Sequence, residues 1–205
     1  MFGILLASDT AGQTHVLKAF SGQLNNCWVL PGWAPPLWQL RHDTGDGVYG
    51  MAFQRIIALG RDAADAQAQL TATPRSPANR QAVASLEQSR IRARRSQKAI
   101  SAALLARIRS SMEVRNARGD ATPLAQASLL GDASPGGMGD CCAPKLLNAA
   151  YAAGLKPVAM AETWFGSPPP SGEREEGRTY DACAERCQPL LGFMLCGLEE
   201  AGSAS

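Results

Sequence analysis

Six cysteines occur in the 205 residues, and four of them fall into two clusters: Cys141-Cys142, and Cys183-Ala-Glu-Arg-Cys187. Each cluster stands where a helix is expected to begin. A helix N-terminus stabilises negative charge, so a cysteine placed there is readily a thiolate. One thiolate followed later by a close pair suits tetrahedral zinc, which takes sulfur ligands from helix ends. The expected metal set is Cys141, Cys183 and Cys187, with Cys142 as an alternative or fourth ligand, holding zinc or another thiophilic ion. The plainer alternative is burial without metal, because a free cysteine packs as a small hydrophobe.

The elements that would position these residues follow from local pattern. Phe2 to Ala7 is an apolar run, Ser8 to Gly12 carries turn chemistry, and His15 to Phe20 follows, which reads as a β-hairpin over residues 2–20. Residues 23–50 are rich in Gly, Pro and Trp, and Pro31, Pro35 and Pro36 exclude a helix there. From Met51 the apolar positions Phe53, Ile56, Ile57, Ala63, Ala64 and Leu70 take helical spacing. After the breaker Thr73 to Pro77, a second helix is expected over residues 78–117, stopped by Gly119, with Val83, Leu86, Ile100, Leu104, Ile108 and Met112 as its apolar stripe. Residues 140–153 read as a helix with Asp140 as N-cap, Lys156 to Phe165 as a strand, and Cys183 to Leu198 as a final helix. The tail from Glu199 to Ser205 is expected to be disordered. The chain thus divides into residues 1–50, a helical hairpin at 51–118, a cysteine-bearing part at 119–198, and the tail. The fold class is α/β in the α+β sense: hairpin, helix, strand and helix form the core, and a basic helical hairpin interrupts it.

That core order, with one ligand on the first helix and two on the next, is similar to the zinc nucleobase deaminases. Their pattern is His or Cys, any residue, Glu, then Pro-Cys-x-x-Cys. This chain departs from it. Ala143 stands where the catalytic Glu belongs, Ala182 stands where Pro is expected, and three residues separate Cys183 from Cys187. Without that Glu a zinc-bound water lacks its general acid/base. Glu162 or Asp140 could replace it only if the fold brings one of them within reach.

Charge is unevenly distributed. Between Arg75 and Arg118 there are eleven Lys or Arg and two acids, although the whole chain carries a net charge of only +2. Arg90, Arg92, Arg94, Arg95 and Lys98 crowd the second helix and are the expected RNA contacts, since clustered cations neutralise phosphates and release counterions. The hairpin's apolar stripe is expected to need a partner, which makes self-association conceivable. Trp28, Trp33 and Trp38 are expected to pack a loop onto the core rather than to stack on bases. No stretch approaches the roughly 20 apolar residues of a membrane helix. Phe2 to Ala7 is too short for a signal sequence, so a cytoplasmic location is expected.

Gly139-Asp-Cys-Cys-Ala-Pro-Lys-Leu-Leu147 resembles the G-E-C-A-A-P-K-L-L run in the amino-terminal accessory region of long RluA-type RNA pseudouridine synthases. The likeness continues through Gly154 to Glu162 and Trp164 to Pro168, and resumes at Tyr180 to Cys183 and Cys187 to Leu195. Met1 to Leu5, Ala19 to Gly22, and the prolines Pro31, Pro35 and Pro36 fit the family's opening motifs. The resemblance implies that Cys141, Cys183 and Cys187 hold family cysteine positions, that Cys142 replaces an Ala, and that the missing deaminase Glu is a family trait. It also implies RNA and a synthase catalytic domain, in cis or in trans, as partners. The synthase's own H-R-L-D-type motif does not occur here; His15 and His42 precede Val and Asp. The expected function is a non-catalytic RNA-binding accessory module for uridine modification, and the alternative is a zinc-dependent deaminase-like hydrolase.

Overall fold

The computed structural model describes residues 1–25, 27–38, 48–169 and 172–198. The expected irregular segment falls partly outside these residues, as do His42 and the tail 199–205. The fold is mixed α and β, and it divides into two compact units: residues 1–39 with 109–205, and residues 40–108.

The first unit is built on a three-stranded sheet. β1 (Phe2–Ser8) lies between β2 (Thr14–Phe20) and β5 (Lys156–Thr163), antiparallel to both, in the order β2-β1-β5. Asp9 closes the β1–β2 turn, its Oδ1 accepting from the Ala11 and Gln13 amides at 2.9 Å each, an Asx turn that fixes the hairpin register. Alternate residues of a strand face opposite sides, so Gly3, Leu5 and Ala7 turn to one face. There Leu5, Ala7 and Ala19 pack with Cys142, Leu146 and Ala150 of α4 (Cys142–Ala152) into the core. Gly3 is needed at that contact, since a Cβ on it would lie 2.5 Å from the Cys142 Cβ.

The second unit consists of α1 (Val48–Ala72) and α2 (Arg80–Ser111), linked by a turn that includes a 3-10 segment at Pro77–Asn79. Leu59 and Ala63 of α1 meet Ala93 and Ile100 of α2. Gln97 crosses the same seam to donate to the Ile56 carbonyl at 3.1 Å. The small side chains of Ala63 and Ala93 lie within that seam. No described helix is long and apolar enough to cross a membrane.

Besides an earlier start for α1, at Val48, and an earlier end for β5, at Thr163, three boundaries differ from the sequence reading in ways that bear on the site. The second long helix ends at Ser111 instead of Ala117, because Glu113–Arg115 (β3) pairs with Ala121–Pro123 (β4). The turn between them outcompetes the helix: Asn116 Oδ1 accepts from the Arg118 and Asp120 amides at 3.1 and 2.9 Å, and Gly119 takes φ +91°. Val114 is fully buried in this hairpin, which rewards the strand geometry. A four-residue helix, α3 (Leu124–Ala127), follows. The N-cap of α4 is Cys141, with extended backbone, in place of Asp140. The last helix, α5, is confined to Gln188–Met194; residues 183–187 form turns, and the amides of Cys187 and Gln188 both donate to the Cys183 carbonyl at 3.1 Å.

Candidate metal centre

Cys141 sits at the N-cap of α4, and Cys183 and Cys187 bracket the turn that enters α5. This brings the Cys141 sulfur together with the pair that begins 42 residues later at Cys183. Cys141 Sγ is 3.9 Å from Cys183 Sγ, Cys183 Sγ is 3.4 Å from Cys187 Sγ, and all three lie within 4.8 Å of one another. A zinc ion with sulfurs at about 2.3 Å in a tetrahedron sets sulfur–sulfur edges near 3.8 Å. The two stated separations bracket that edge, and both are far beyond the roughly 2.05 Å of a disulfide. Three cysteines thus form a set that could bind a metal ion, leaving a tetrahedral ion one further position.

The electrostatics point the same way. Hydrogen bonding from Cys187, opposed by burial and helped by Cys183 and the Arg186 charge, lowers the Cys141 thiol to about 7. Cys187 moves in the other direction, holding its proton because it donates to Cys141 and is buried. The cluster therefore gives up its first proton near neutral pH, well below an ordinary thiol, which favours capture of a cation.

Cys142, expected as an alternative or fourth ligand, is not brought to this cluster. Its sulfur points into the sheet, 3.6 Å from both the Met1 and Ala19 carbonyl oxygens and 3.3 Å from Ser21 Oγ. Burial pushes its thiol up to about 11, so it stays protonated. Neighbouring residues at a helix start project in directions roughly 100° apart, and only one of the pair can face the other two cysteines.

Of the two carboxylates considered as replacements for the missing Glu, Glu162 comes to the helix end. Its Oε1 accepts the Ala143 backbone N–H at 2.7 Å, and the side chain is buried. Ala143 is the second residue of α4, so Glu162 caps from β5 an amide that the Cys141 side chain leaves free. Burial raises its carboxyl above the ordinary range, partly offset by that hydrogen bond. Asp140 is also raised by burial, against the pull of Lys145, a hydrogen bond with Trp38, and Arg186.

Lys145 was not singled out in the sequence reading, yet it is 1% exposed and anchors the helix. Its Nζ donates to the Phe20 carbonyl at 2.9 Å and to the Gly22 carbonyl at 3.4 Å, and lies 5.2 Å from the Phe20 ring centroid. The signal was present, a lone cation inside the apolar run Ala143 to Leu147. The same pattern also fits a solvated helix face.

The expected RNA contacts lie on α2 in the second unit. Arg92, Arg94, Arg95 and Lys98 are exposed, whereas Arg90 is half-buried and its Nε lacks a hydrogen-bond partner among the described residues. Arg94 donates to Gln97 at 3.2 Å. Arg92 and Arg95, three apart and so on one face, line a concavity of about 310 Å³ with Gln88, Ile91 and Ser96. The tryptophans divide into two groups: Trp33 packs on Phe2 and Phe20, while Trp28 meets Trp38 edge-on at 5.3 Å. No family model, no curated protein and no solved structure matches this chain.

Proposed function

We propose that the chain is a non-catalytic RNA-binding module that serves an RNA pseudouridine synthase, joined to it or acting beside it in the cytoplasm. The observation that carries this reading is the arginine ridge of α2. Arg92, Arg95 and Lys98 stand exposed with no carboxylate partner among the described residues. Isolated helices of such charge gain nothing from it, because like charges at helical spacing repel. Phosphates would relieve that repulsion. The synthase link is supported by the motif run from Gly139 to Pro168. In this reading a zinc ion on the thiolates of Cys141, Cys183 and Cys187 would tie α4 to the turn before α5, with its fourth position filled by a donor from outside this set.

The test is RNA binding as a function of salt, comparing the wild type with an Arg92→Glu, Arg94→Glu, Arg95→Glu triple variant. Loss of three phosphate contacts predicts a salt slope shallower by about 3 and markedly weaker binding. Unchanged affinity in the triple variant would refute the assignment of α2.

A second reading is a zinc-dependent deaminase-like hydrolase acting on a nucleobase or nucleotide. What favours it is the Glu162 carboxylate at the Ala143 amide, a carboxyl contributed from β5 beside the position where deaminases carry their Glu. Zinc would supply an acidified water there, and Glu162 would hold or release a proton. Deamination of cytidine that is lost in both Cys183→Ser and Glu162→Gln would establish this reading over the first; no turnover with zinc-loaded protein would dismiss it.

A further inference from the structure

The face of the three-stranded sheet turned away from α4 is an ordered array with little cover. Register places Phe20, Phe2 and Thr163 in one row, Lys18, Ile4 and Ala161 in the next, and Val16, Leu6 and Ala159 in the third. Strand alternation puts all nine on the side opposite Gly3, Leu5 and Ala7, which pack on α4. Val16 is 65% exposed, Ile4 52% and Leu6 38%. At the end of the array, Trp33 covers Phe2 and Phe20 with centroids at 5.8 and 5.5 Å. Phe165, just past β5, stands edge-on to Phe2 at 6.0 Å and is 70% exposed.

Two features select the occupant. The nine positions carry one charge, Lys18, and no carboxylate, and the Lys18 Nζ lies 5.0 Å from the centre of the Trp33 ring. An aromatic ring that remains mostly exposed although it touches another ring contributes little to the core. Its free face is available to a flat partner. The small side chains of Ala159 and Ala161 leave a low shelf beside the Leu6 and Ile4 side chains. An exposed ring, Phe165, and a lysine, Lys18, on the same open sheet face suit unpaired nucleotides, with the ring stacking on a base and the ammonium on phosphate. Protein interfaces are depleted in lysine, so Lys18 on β2 disfavours a protein occupant.

We infer that this sheet face is a second nucleic-acid site that takes unpaired nucleotides, with Phe165 as the stacking surface and Lys18 as the phosphate contact. The inference rests on the RNA-binding reading and deepens it. α2 offers charge that any phosphate backbone satisfies, whereas the sheet selects single strands. The two sites belong to different units and are separable by mutation.

The experiment is fluorescence anisotropy of the full chain with a labelled 12-nucleotide oligouridylate and with an RNA duplex of the same length. Phe165→Ala should weaken oligouridylate binding about five- to a hundred-and-fiftyfold, the range for removing one aromatic platform, and leave duplex binding unchanged. Lys18→Ala should reduce the oligouridylate salt slope by about 0.7. Circular dichroism verifies that both variants fold, as exposed substitutions should. Oligouridylate affinity within twofold of wild type in both variants would overturn the inference and leave the face to an apolar protein partner. The RNA-binding reading would survive that result if duplex binding still fell with the α2 triple variant. If wild-type protein binds neither probe, both fail together.

Discussion

Gly3→Ala should disable the metal centre from the opposite side of α4. The added methyl carbon would lie 2.5 Å from Cys142 Cβ, 3.0 Å from Leu146 Cδ1 and 3.3 Å from Cys142 Sγ. Carbon atoms rest at about 3.5–4.0 Å, so the first contact is short by roughly 1 Å. Leu146 can rotate away, but a Cβ is fixed to its backbone, and that backbone is the first turn of α4. β1 cannot recede either, because it is hydrogen-bonded on both edges. The helix N-terminus must therefore withdraw, and Cys141 withdraws with it. Overpacking of this size costs about 1–3 kcal/mol, which in a chain of this length lowers Tm by about 2–12 °C. Metal sites tolerate ligand distances to about 0.2 Å, so a displacement near 1 Å should weaken zinc binding by about 10–100-fold. The assay is thermal unfolding together with zinc competition against a chromogenic chelator. Gly12→Ala is the control: its φ of +79° strains an alanine, but nothing lies within 4 Å of the new carbon. Gly12→Ala should lower Tm and keep wild-type zinc affinity. If Gly3→Ala keeps it too, the argument that couples β1 to the sulfur cluster is wrong.

Three further outcomes are expected. Cys141→Ser, Cys183→Ser and Cys187→Ser should each abolish bound zinc measured by mass spectrometry, while Cys142→Ser retains it; zinc lost in the Cys142 variant alone would reassign the ligands. In reduced, metal-free protein the depressed Cys141 thiol contributes stability that is complete above its unfolded value near 9.0 and is lost as pH falls through about 7. The urea midpoint should therefore rise between pH 7 and 9, and a flat profile would contradict the assigned thiolate. Lys145→Ala leaves the Phe20 and Gly22 carbonyls without their donor and opens a cavity in the core, at a cost of about 2–4 kcal/mol by denaturant titration; a cost under 1 kcal/mol would show that the buried ammonium anchors nothing.

The sequence disclosed what local periodicity and spacing encode. The apolar run Phe2 to Ala7 and the turn residues Ser8 to Gly12 gave the hairpin, and the spacing of Cys141, Cys183 and Cys187 gave the cluster. What stayed hidden depends on tertiary choices. Whether Cys141 or Cys142 faces the cluster is decided by the sheet beneath α4, where Gly3 opens room for Cys142 alone. The Glu162 cap joins residues 19 apart that no helix rule connects. The early end of α2 is a contest between helix propensity and the Asn116 turn, with buried Val114 deciding it. The open sheet face was invisible for a simpler reason: alternation shows that a strand has two faces without saying which of them acquires a helix.

Trp38 and Met112 form an antiparallel bridge, and the consequence concerns chain entropy more than chemistry. The 73 residues between them leave the first unit and return to it at adjacent points, so that unit experiences the whole excursion as one closed loop. The entropy of closing a loop grows only with the logarithm of its length. Shrinking the excursion to ten residues would change closure by about 1.8 kcal/mol, and doubling it by about 0.6 kcal/mol. A change in the length of the helical arm therefore costs the unit that holds the sulfur cluster little in closure free energy.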